Sequence, residues 1–543
     1  MDSNFWRHSY IKLKITVLVI LSFIVIGNAS LMLANTNKAS EIDNKPNLVQ
    51  LLQADSLGFN AHIHPEAQIL RGNVVFLHDS TFMYCDSAYL FQHSNSLEAF
   101  DNVRMEQGDT LFVYGDYLRY DGNTALAKLR ENVKMENGNV SLFTDSLNFD
   151  RVLNIGYFFE GGMLVDEENE LTSIYGQYSP DTKMAFFNRD VKLINSQFTL
   201  TSDTLEYATI SKIATILGPS VIVSDSATIH SSRGWYNTQS HLSMLYDRST
   251  IFSKDNTKSL TGDSIFYDKA RSFGEAFGNM LLVDTVKKVN LMGEYGYYYE
   301  TTGEALATDS ALMVEYSQGD SLFLHADTLK MINIGEGERE ITAHYGVRFF
   351  RADLQGVCDS LQFNTADTVL YLYKDPILWN TGYQVSGDTI HIFFNDSTVD
   401  RAEVIDFAFA TEKVDSSYFN QLKGKIMHIY FQESQLHQIY VNGNAETIFY
   451  PSEEGGSFIG MNKTESSYFR INFKDSKIEK MVLWPQAKGT TIPLPDLNPE
   501  IKFLKGFIDY DYLRPKDRDD VFSKTARKTE DIEARPKSRR SRN

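Results

Sequence analysis

The sequence predicts an all-β protein built as an elongated stack of repeats of about 30 residues. Three observations predict this fold class: a motif that returns at that spacing, short runs of alternating apolar and polar residues, and turn residues between the runs. One unit of this size cannot bury its apolar face, whereas stacked units bury a continuous apolar seam along the long axis.

The repeated motif has two halves that alternate along the chain. In the asparagine half, the segment 102–105 (NVRM) returns as 132–135 (NVKM), about 30 residues later. The aspartate half places a Ser, Thr or Tyr after the aspartate and usually a Leu or Ile next. Its aspartates are Asp86, Asp116, Asp145, Asp203, Asp263, Asp327, Asp359 and Asp388.

The runs within each copy alternate as half-buried strands do. In the segments 133–135 (VKM) and 147–149 (LNF), the outer two residues are apolar and the middle one is polar. Successive side chains of a strand point to opposite faces, so each run has one dry face. The pairs at 121–122 (DG) and 137–138 (NG) supply turn chemistry between runs.

Composition argues against nucleic acid as a partner and against a disulfide. The net charge is −19, and no basic stripe lies within the repeats, which argues against nucleic acid as a partner. The two cysteines, Cys85 and Cys358, lie about nine repeats apart. At a strand spacing of roughly 4.8 Å they are at least ~40 Å apart, too far for a disulfide, so we expect two buried thiols.

The N-terminal segment predicts export. Basic residues precede a nearly unbroken apolar run at 15–26, and small residues follow at 27–29, as in a secretory signal peptide. If the apolar residues at 31–34 belong to the same segment, it is instead an uncleaved N-terminal anchor. Residues 1–34 therefore form a signal peptide or anchor, and either places the body outside the cytoplasm. The polar residues 35–47 are expected to be a linker.

The remaining chain divides into four predicted regions. Residues 48–200 hold the N-terminal repeats, and residues 201–399 hold further repeats of the same kind. Residues 400–513 form a β-rich C-terminal region with longer alternating runs. Residues 514–543 form a charged, repetitive tail that composition alone predicts to be disordered.

No catalytic, cofactor or metal site is predicted, and we expect that the protein is not an enzyme. The segment 262–265 (GDSI) resembles the nucleophile block of a family of serine esterases, but the same block recurs with the repeat. No histidine recurs beside these serines to act as the base. His62 and His64 share one strand face, yet zinc needs three or four ligands and no third is identifiable.

The candidate site is the apolar seam itself. A closed solenoid fills its interior with its own side chains, whereas an open, V-shaped stack leaves an apolar trough. Such a trough suits acyl chains, since hydrocarbon burial is non-directional and contributes ~0.8 kcal/mol per CH₂. Both alternatives remain open from the pattern. The residues that would line a trough are Val103, Met105, Leu118, Tyr120, Val133, Met135, Leu147, Phe149, Val191, Leu193, Leu205 and Tyr207.

The alternation of the two motif halves resembles the OstA-like (organic solvent tolerance A-like) family. The resemblance is best over residues 72–150 and stays in phase to about residue 396, and the segment 442–445 (NGNA) resembles the C-terminal part of longer members. It implies an open β-jelly roll, or β-taco, as in periplasmic lipopolysaccharide-transport bridge proteins (LptA-type). These are related to the N-terminal domain of the LptD-type outer-membrane protein.

The resemblance also implies a function and partners. Lipopolysaccharide would be carried or bridged from the inner to the outer membrane for outer-membrane assembly, with its acyl chains in the trough. Partners would be other lipopolysaccharide-transport proteins that add strands at the edges, including the outer-membrane barrel component, and further copies of the chain end to end. Localisation would be periplasmic, with association at the outer membrane or an N-terminal anchor. Residues 400–513 are too few for a large barrel.

Two alternative functions share this fold class. One is a structural or adhesive β-solenoid that binds surface glycans, which would have a filled interior and no lipid. The other is a β-helix enzyme that acts on polysaccharide, which would need clustered carboxylates or basic residues on one face. The repeats show no such cluster in register.

Overall fold

The structure is a computed structural model that describes residues 48–317, 319–335, 337–380, 382–395, 398–433, 435–452, 458–474 and 477–534. Within these ranges the chain forms one 38-stranded antiparallel ladder, in which strands pair with near neighbours along the chain. About 28 rungs at roughly 4.8 Å each give a contour length of ~130 Å. The predicted fold class, an elongated all-β, jelly-roll-like stack, is confirmed.

The first part of the ladder consists mainly of long strands, because the alternating runs on either side of each motif form one continuous strand. Its strands are β1 (Gln50–Gln53), β2 (Ser56–Phe59), β3 (Gln68–His78), β4 (Thr81–Phe91), β5 (Ser96–Gln107), β6 (Leu111–Asp121), β7 (Leu126–Asn137), β8 (Val140–Asp150), β9 (Ile155–Phe158), β10 (Gly162–Asp166), β11 (Asn169–Ser173), β12 (Tyr175–Ser179), β13 (Met184–Asn195) and β14 (Phe198–Ala208).

In the middle of the ladder each rung is broken into two short strands. They are β15 (Ile213–Ile216), β16 (Ser220–Ser224), β17 (Ala227–Ser231), β18 (Arg233–Asn237), β19 (Leu242–Tyr246), β20 (Ser249–Ser253), β21 (Lys258–Gly262) and β22 (Ser264–Asp268). Both strands of a rung pair with the same neighbouring rung, so the ladder is not interrupted. For example, β15 and β16 both pair with β14.

Long strands dominate again in the last part. They are β23 (Phe273–Asp284), β24 (Val289–Tyr299), β25 (Glu304–Glu315), β26 (Leu322–Asn333), β27 (Arg339–Arg351), β28 (Leu354–Asn364), β29 (Val369–Tyr373), β30 (Ile377–Asn380), β31 (Tyr383–Ser386), β32 (Thr389–Asn395), β33 (Thr398–Lys413), β34 (Phe419–Gln432), β35 (Gln435–Phe449), β36 (Gly460–Lys474), β37 (Lys477–Trp484) and β38 (Lys488–Pro493). The ladder continues across residue 400, where β33 pairs with β31, β32 and β34. The predicted division into domains stays a prediction.

Each long strand bends at a β-bulge that coincides with the repeat motif. In β7 the pairing with β8 shifts register between Arg130 and Val133. The inserted residues Glu131 and Asn132 have φ of 63° and 50°, a region that asparagine tolerates better than most residues. The bend divides the strand into halves that belong to two facing layers. Layer A holds halves such as 103–107, 111–114 and 133–137, and layer B holds halves such as 96–100, 117–121 and 126–130.

We call the bulged side the spine and the opposite side the mouth, where the hairpin turns of both layers end. At the spine the motif asparagine bonds the motif aspartate of the preceding strand. Asn102 Nδ2 donates to Asp86 Oδ2 at 2.7 Å, and Asn279 Nδ2 donates to Asp263 Oδ2 at 2.7 Å. Asp263 of the GDSI segment therefore has the structural place that the repeat predicts.

After β38 the chain runs back across the outer face of layer A as a strap, residues 494–534. Two buried glutamines hold it by bonding its backbone on both sides. Gln421 donates to the Lys502 carbonyl at 2.9 Å and accepts from the Leu504 amide at 2.8 Å. Gln384 bonds the strap in the same way at residues 508 and 510. The strap holds 3₁₀ turns at Leu494–Asp496, Pro499–Ile501, Asp511–Leu513 and Asp520–Phe522, and helix α1 at Thr529–Ala534.

The expectation of a disordered tail is wrong for residues 514–534. Arg514 Nε donates to Gln355 Oε1 at 2.9 Å, Val521 is fully buried, and the Phe522 ring lies 4.8 Å from the His325 ring. These few apolar side chains bury against layer A, although the surrounding composition is charged. The tail residues 535–543 lie outside the described residues.

The predicted signal peptide or anchor, residues 1–34, and the linker, residues 35–47, also lie outside the described residues. Within the part of the chain that the structure describes, no helix has the length and apolar character to cross a membrane.

Candidate functional site

The space between the two layers is a continuous apolar interior. One cluster of buried side chains extends from Leu70 in β3 to Ile471 in β36. The layers approach closely: a Cβ added at Gly156 of layer B would lie 2.9 Å from the sulfur of Met135 in layer A. Because burial of hydrocarbon is non-directional, such an interior does not require a particular orientation of the apolar groups that it holds.

All twelve residues that the sequence assigns to the seam lie in this interior, and each is at most 2% exposed. Layer A contributes Val103, Met105, Val133, Met135, Val191 and Leu193. Layer B contributes Leu118, Tyr120, Leu147, Phe149, Leu205 and Tyr207. These side chains themselves fill the space, so an acyl chain would enter only if the layers moved apart. That they line a lipid trough stays a prediction.

The mouth differs from the deeper interior because its layer B rim carries a row of tyrosines. They occupy the last inward-facing position before the turn and are Tyr120, Tyr178, Tyr207, Tyr236, Tyr267 and Tyr298, with Phe149 in the equivalent place on β8. Their register partners on the adjoining strands are small: Ala127, Gly156, Ala185, Ala214, Ser243, Gly274 and Ala305. Small neighbours on both sides leave room for each ring except that of Tyr120, whose partner on β5 is Leu97.

Several of these tyrosines bond across the mouth to polar residues at the rim of layer A. Tyr207 donates to Asp166 Oδ2 at 2.8 Å, and Lys212 Nζ lies 2.8 Å from both oxygens of the same carboxylate. Asp166 is 1% exposed. One rung pair earlier, Tyr178 donates to Asn137 Oδ1 at 3.1 Å. Each bond joins the last inward residue of one layer to that of the other.

Basic residues of the layer B turns complete these contacts. Lys183 donates to the same Asn137 oxygen that accepts from the tyrosine. At the N-terminal end of the row, His78 Nδ1 lies 2.6 Å from the Tyr120 hydroxyl, and Arg151 Nη1 donates to that hydroxyl at 2.5 Å. The mouth is therefore bridged by a tyrosine, a polar acceptor and a cation at repeated intervals.

The two rims carry opposite charges where they face each other. Layer A supplies carboxylates and layer B supplies cations, in the pairs Asp79 with Arg151 at 3.8 Å, Glu167 with Lys212 at 3.3 Å, and Asp225 with Lys269 at 3.0 Å. The cationic side chains are 7%, 14% and 11% exposed, whereas their carboxylate partners are 46%, 54% and 77% exposed, so the cations are buried beneath carboxylates that face water.

Burial controls the protonation of the rim hydroxyls. It raises the pKa of Tyr178 to about 12. Burial and then the bond to Asp166 raise the pKa of Tyr207. Burial also raises the pKa of Tyr120, although Arg151 opposes the shift. The three hydroxyls therefore keep their protons near neutral pH and remain able to donate.

Sequence reasoning placed Tyr120 and Tyr207 in the seam but missed their polar partners and the other rim tyrosines. The signal for the tyrosines is their spacing of 29 to 31 residues after Tyr120. Partners such as Asn137 and Asp166 lie 41 residues before their tyrosines. Their identity varies, so no local pattern marks them.

The predicted buried thiols are confirmed, since Cys85 and Cys358 are free and buried. Burial raises the pKa of the Cys85 thiol to about 12. Among the residues with described positions, no group of three or more His, Cys, Asp or Glu is placed to hold a metal ion.

Comparison with known proteins supports the resemblance read from the repeat. Residues 46–203 and 197–257 match the family model described as OstA-like protein. This region belongs to the OstA-like family. The OstA-like region contains all twelve seam residues and the rim from Tyr120 to Tyr236. No curated protein matches the chain.

A solved structure also resembles part of the chain. It is the crystal structure of LptH, the LptA-homologous periplasmic component of the conserved lipopolysaccharide transport device from Pseudomonas aeruginosa. The two chains are 15% identical over 18% of this chain and 76% of LptH, with a TM-score of 0.17.

Proposed function

We propose that this chain is a periplasmic lipopolysaccharide-binding transport protein, which carries or bridges lipopolysaccharide from the inner to the outer membrane. The observation that carries the proposal is the apolar interior, which continues from β3 to β36 between two layers joined at the spine. The OstA-like region supports the choice of ligand. The interior would hold acyl chains once the layers part, each buried CH₂ contributing ~0.8 kcal/mol. Binding and transport, rather than catalysis, would be its activity.

The ends of the ladder support the proposed partners. At the N-terminal end, β1 and β2 pair only with β3 among the described strands, and Leu52, Leu57 and Phe59 are 51%, 58% and 63% exposed. At the other end, β37 pairs only with β36 in the same described set, and Met481 is 44% exposed. Unpaired edges accept strands from other chains. We propose that they dock other lipopolysaccharide-transport proteins, including the outer-membrane barrel component, or further copies of this chain.

One observation favours an alternative function. The interior is filled by the protein's own side chains, as expected of a structural or adhesive β-solenoid that binds glycans on its surface. The two functions differ in a measurable way, because the solenoid retains no lipid.

The test is mass spectrometry of lipids extracted from protein that was purified without detergent, compared across two variants of β7. Met135→Asp places a carboxylate in the interior, where Met135 is 1% exposed, whereas Lys134→Asp places one on the outer face of the same strand. We expect lipopolysaccharide with wild type and with Lys134→Asp, and much less with Met135→Asp. Hydrogen exchange outside β7 checks that the stack stays folded. Lipid-free wild-type protein would refute the proposal and favour the solenoid.

A further inference from the structure

The bonds across the mouth form a row directly above the apolar interior. On the sides that face each other, the two layers share apolar contacts below this row and polar contacts within it. At Asp166, three charge-assisted or hydroxyl bonds from layer B converge on one carboxylate at 2.8 Å. These polar contacts must therefore break before the two rims can separate.

A buried ion pair is a poor choice if stability alone is required. Well-packed apolar residues of similar volume often stabilise a protein as much as a buried pair or more. Unlike apolar packing, the pair between Asp166 and Lys212 depends on direction. Its partners can also be exchanged, because another anion can take the place of the carboxylate. The facing pairs of Asp79 with Arg151 and Asp225 with Lys269 place two further buried cations along the mouth, each opposite a carboxylate that is exposed to water and can be exchanged for another anion.

We propose that the row is a latch over the interior, and that an amphiphile with an anionic headgroup opens it from the side. Its acyl chains pass between the layers, and its headgroup takes Arg151, Lys212 and Lys269 from the carboxylates of layer A. The inference rests on the proposed function, to which it adds the route of entry and the headgroup chemistry.

The width of the mouth can be measured between spin labels on Ser196 and Gln239. Both residues are exposed, in turns of layer A and layer B. The two turns face each other, because the rings of Phe198 and Tyr236 beside them lie 4.8 Å apart. The labels are attached to cysteines in a background that replaces both native cysteines with alanine.

Three probes are added in turn to distinguish the effect of an anionic headgroup from that of acyl chains or of a free anion. They are phosphatidylglycerol vesicles, phosphatidylcholine vesicles with the same acyl chains, and inorganic phosphate. We expect the label distance to lengthen only with phosphatidylglycerol. The expected increase is roughly 4 Å, the distance between carbon atoms in contact, because an acyl chain would lie between the two layers. Equal lengthening with phosphatidylcholine would overturn the anionic headgroup. Lengthening with phosphate alone would overturn the need for an amphiphile.

Two variants test the latch through the label distance before lipid is added and through the rate of lipid uptake afterwards. Asp166→Leu with Lys212→Met removes the pair and leaves no buried charge unpaired, since the remaining carboxylate, that of Glu167, is 54% exposed to water. We therefore expect a wider distance distribution and about tenfold faster lipid uptake. The swapped pair, Asp166→Lys with Lys212→Asp, is made together with Glu167→Gln so that no second carboxylate lies beside position 212. It restores opposite charges and should stay closed with wild-type uptake. A narrow distribution and wild-type uptake in the first variant would overturn the latch.

The latch and the proposed function can be refuted separately. If lipid is retained while the label distance stays unchanged, the ligand enters from the ends of the ladder, and only the latch is refuted. If no lipid is retained from any vesicle, or from the cell, the proposed function is refuted and the latch loses its ligand.

Discussion

Phe149 interrupts the tyrosine row, and we expect Phe149→Tyr to stabilise the protein. Tyr120 contacts His78 and Tyr178 contacts Asn137, which lie 42 and 41 residues earlier. The residue 42 positions before Phe149 is Gln107, at the equivalent place on the rim of layer A. Among the described residues, no group donates to the buried Gln107 Oε1. A hydroxyl at position 149 would be placed to donate to it.

The expected gain follows from the net worth of a buried hydrogen bond, which is about 1 kcal/mol. The register partners Ala127 and Gly156 leave room for the added oxygen, as small residues do beside the other rim tyrosines. A repeat stack opens locally, so the gain should appear as roughly fivefold slower amide exchange in β7 and β8. Hydrogen-exchange mass spectrometry measures this directly.

The control is the same substitution with Gln107→Leu, which removes the acceptor, so the added hydroxyl should then slow exchange no further. Faster or unchanged exchange in Phe149→Tyr alone would refute the reasoning, because it would mean that the register of the rim contacts does not extend to this position.

Three further predictions concern the packing, the strap and the thiols. Gly176→Ala should destabilise the stack by about 1–3 kcal/mol, since its Cβ would lie 2.4 Å from the Phe158 ring, and added Phe158→Leu should restore part of the loss in denaturant unfolding. Gln384→Ala removes both bonds to the strap and should speed proteolysis within residues 494–528, whereas the exposed Gln435→Ala should not. Cys85 should react with a disulfide reagent far more slowly than free cysteine at pH 8 and accelerate as pH rises towards its pKa of about 12, because burial disfavours the thiolate; rapid reaction of the folded protein at pH 8 would contradict this.

The repeat and the strands were predictable from the sequence because they depend on local patterns. A period of about 30 residues and alternation within each run determine the ladder and the inward-facing residues, including Met135 and Phe149. The contacts across the mouth were not predictable in this way. Asp166 and Lys212 lie 46 residues apart, and they meet only because the bulges fold each strand into two layers.

The strap was missed for a different reason. Charged composition dominates residues 514–534, and the two glutamines that hold the preceding segment, Gln384 and Gln421, look like ordinary strand residues. Each bonds a backbone more than 80 residues away, so no local pattern reveals the docking. Val521 provides the apolar anchor, but a single valine does not outweigh the surrounding charge in a reading by composition.

The proposed lipid site is tested most directly by a photo-crosslinking amino acid placed on either face of β8 in cells. Position 149 faces the interior, and position 143 on the same strand faces outward, since Leu142 beside it is buried in the core cluster. We expect a lipopolysaccharide adduct from position 149 and none from position 143. Adducts from neither position, or equally from both, would contradict the claim that the interior carries the lipid.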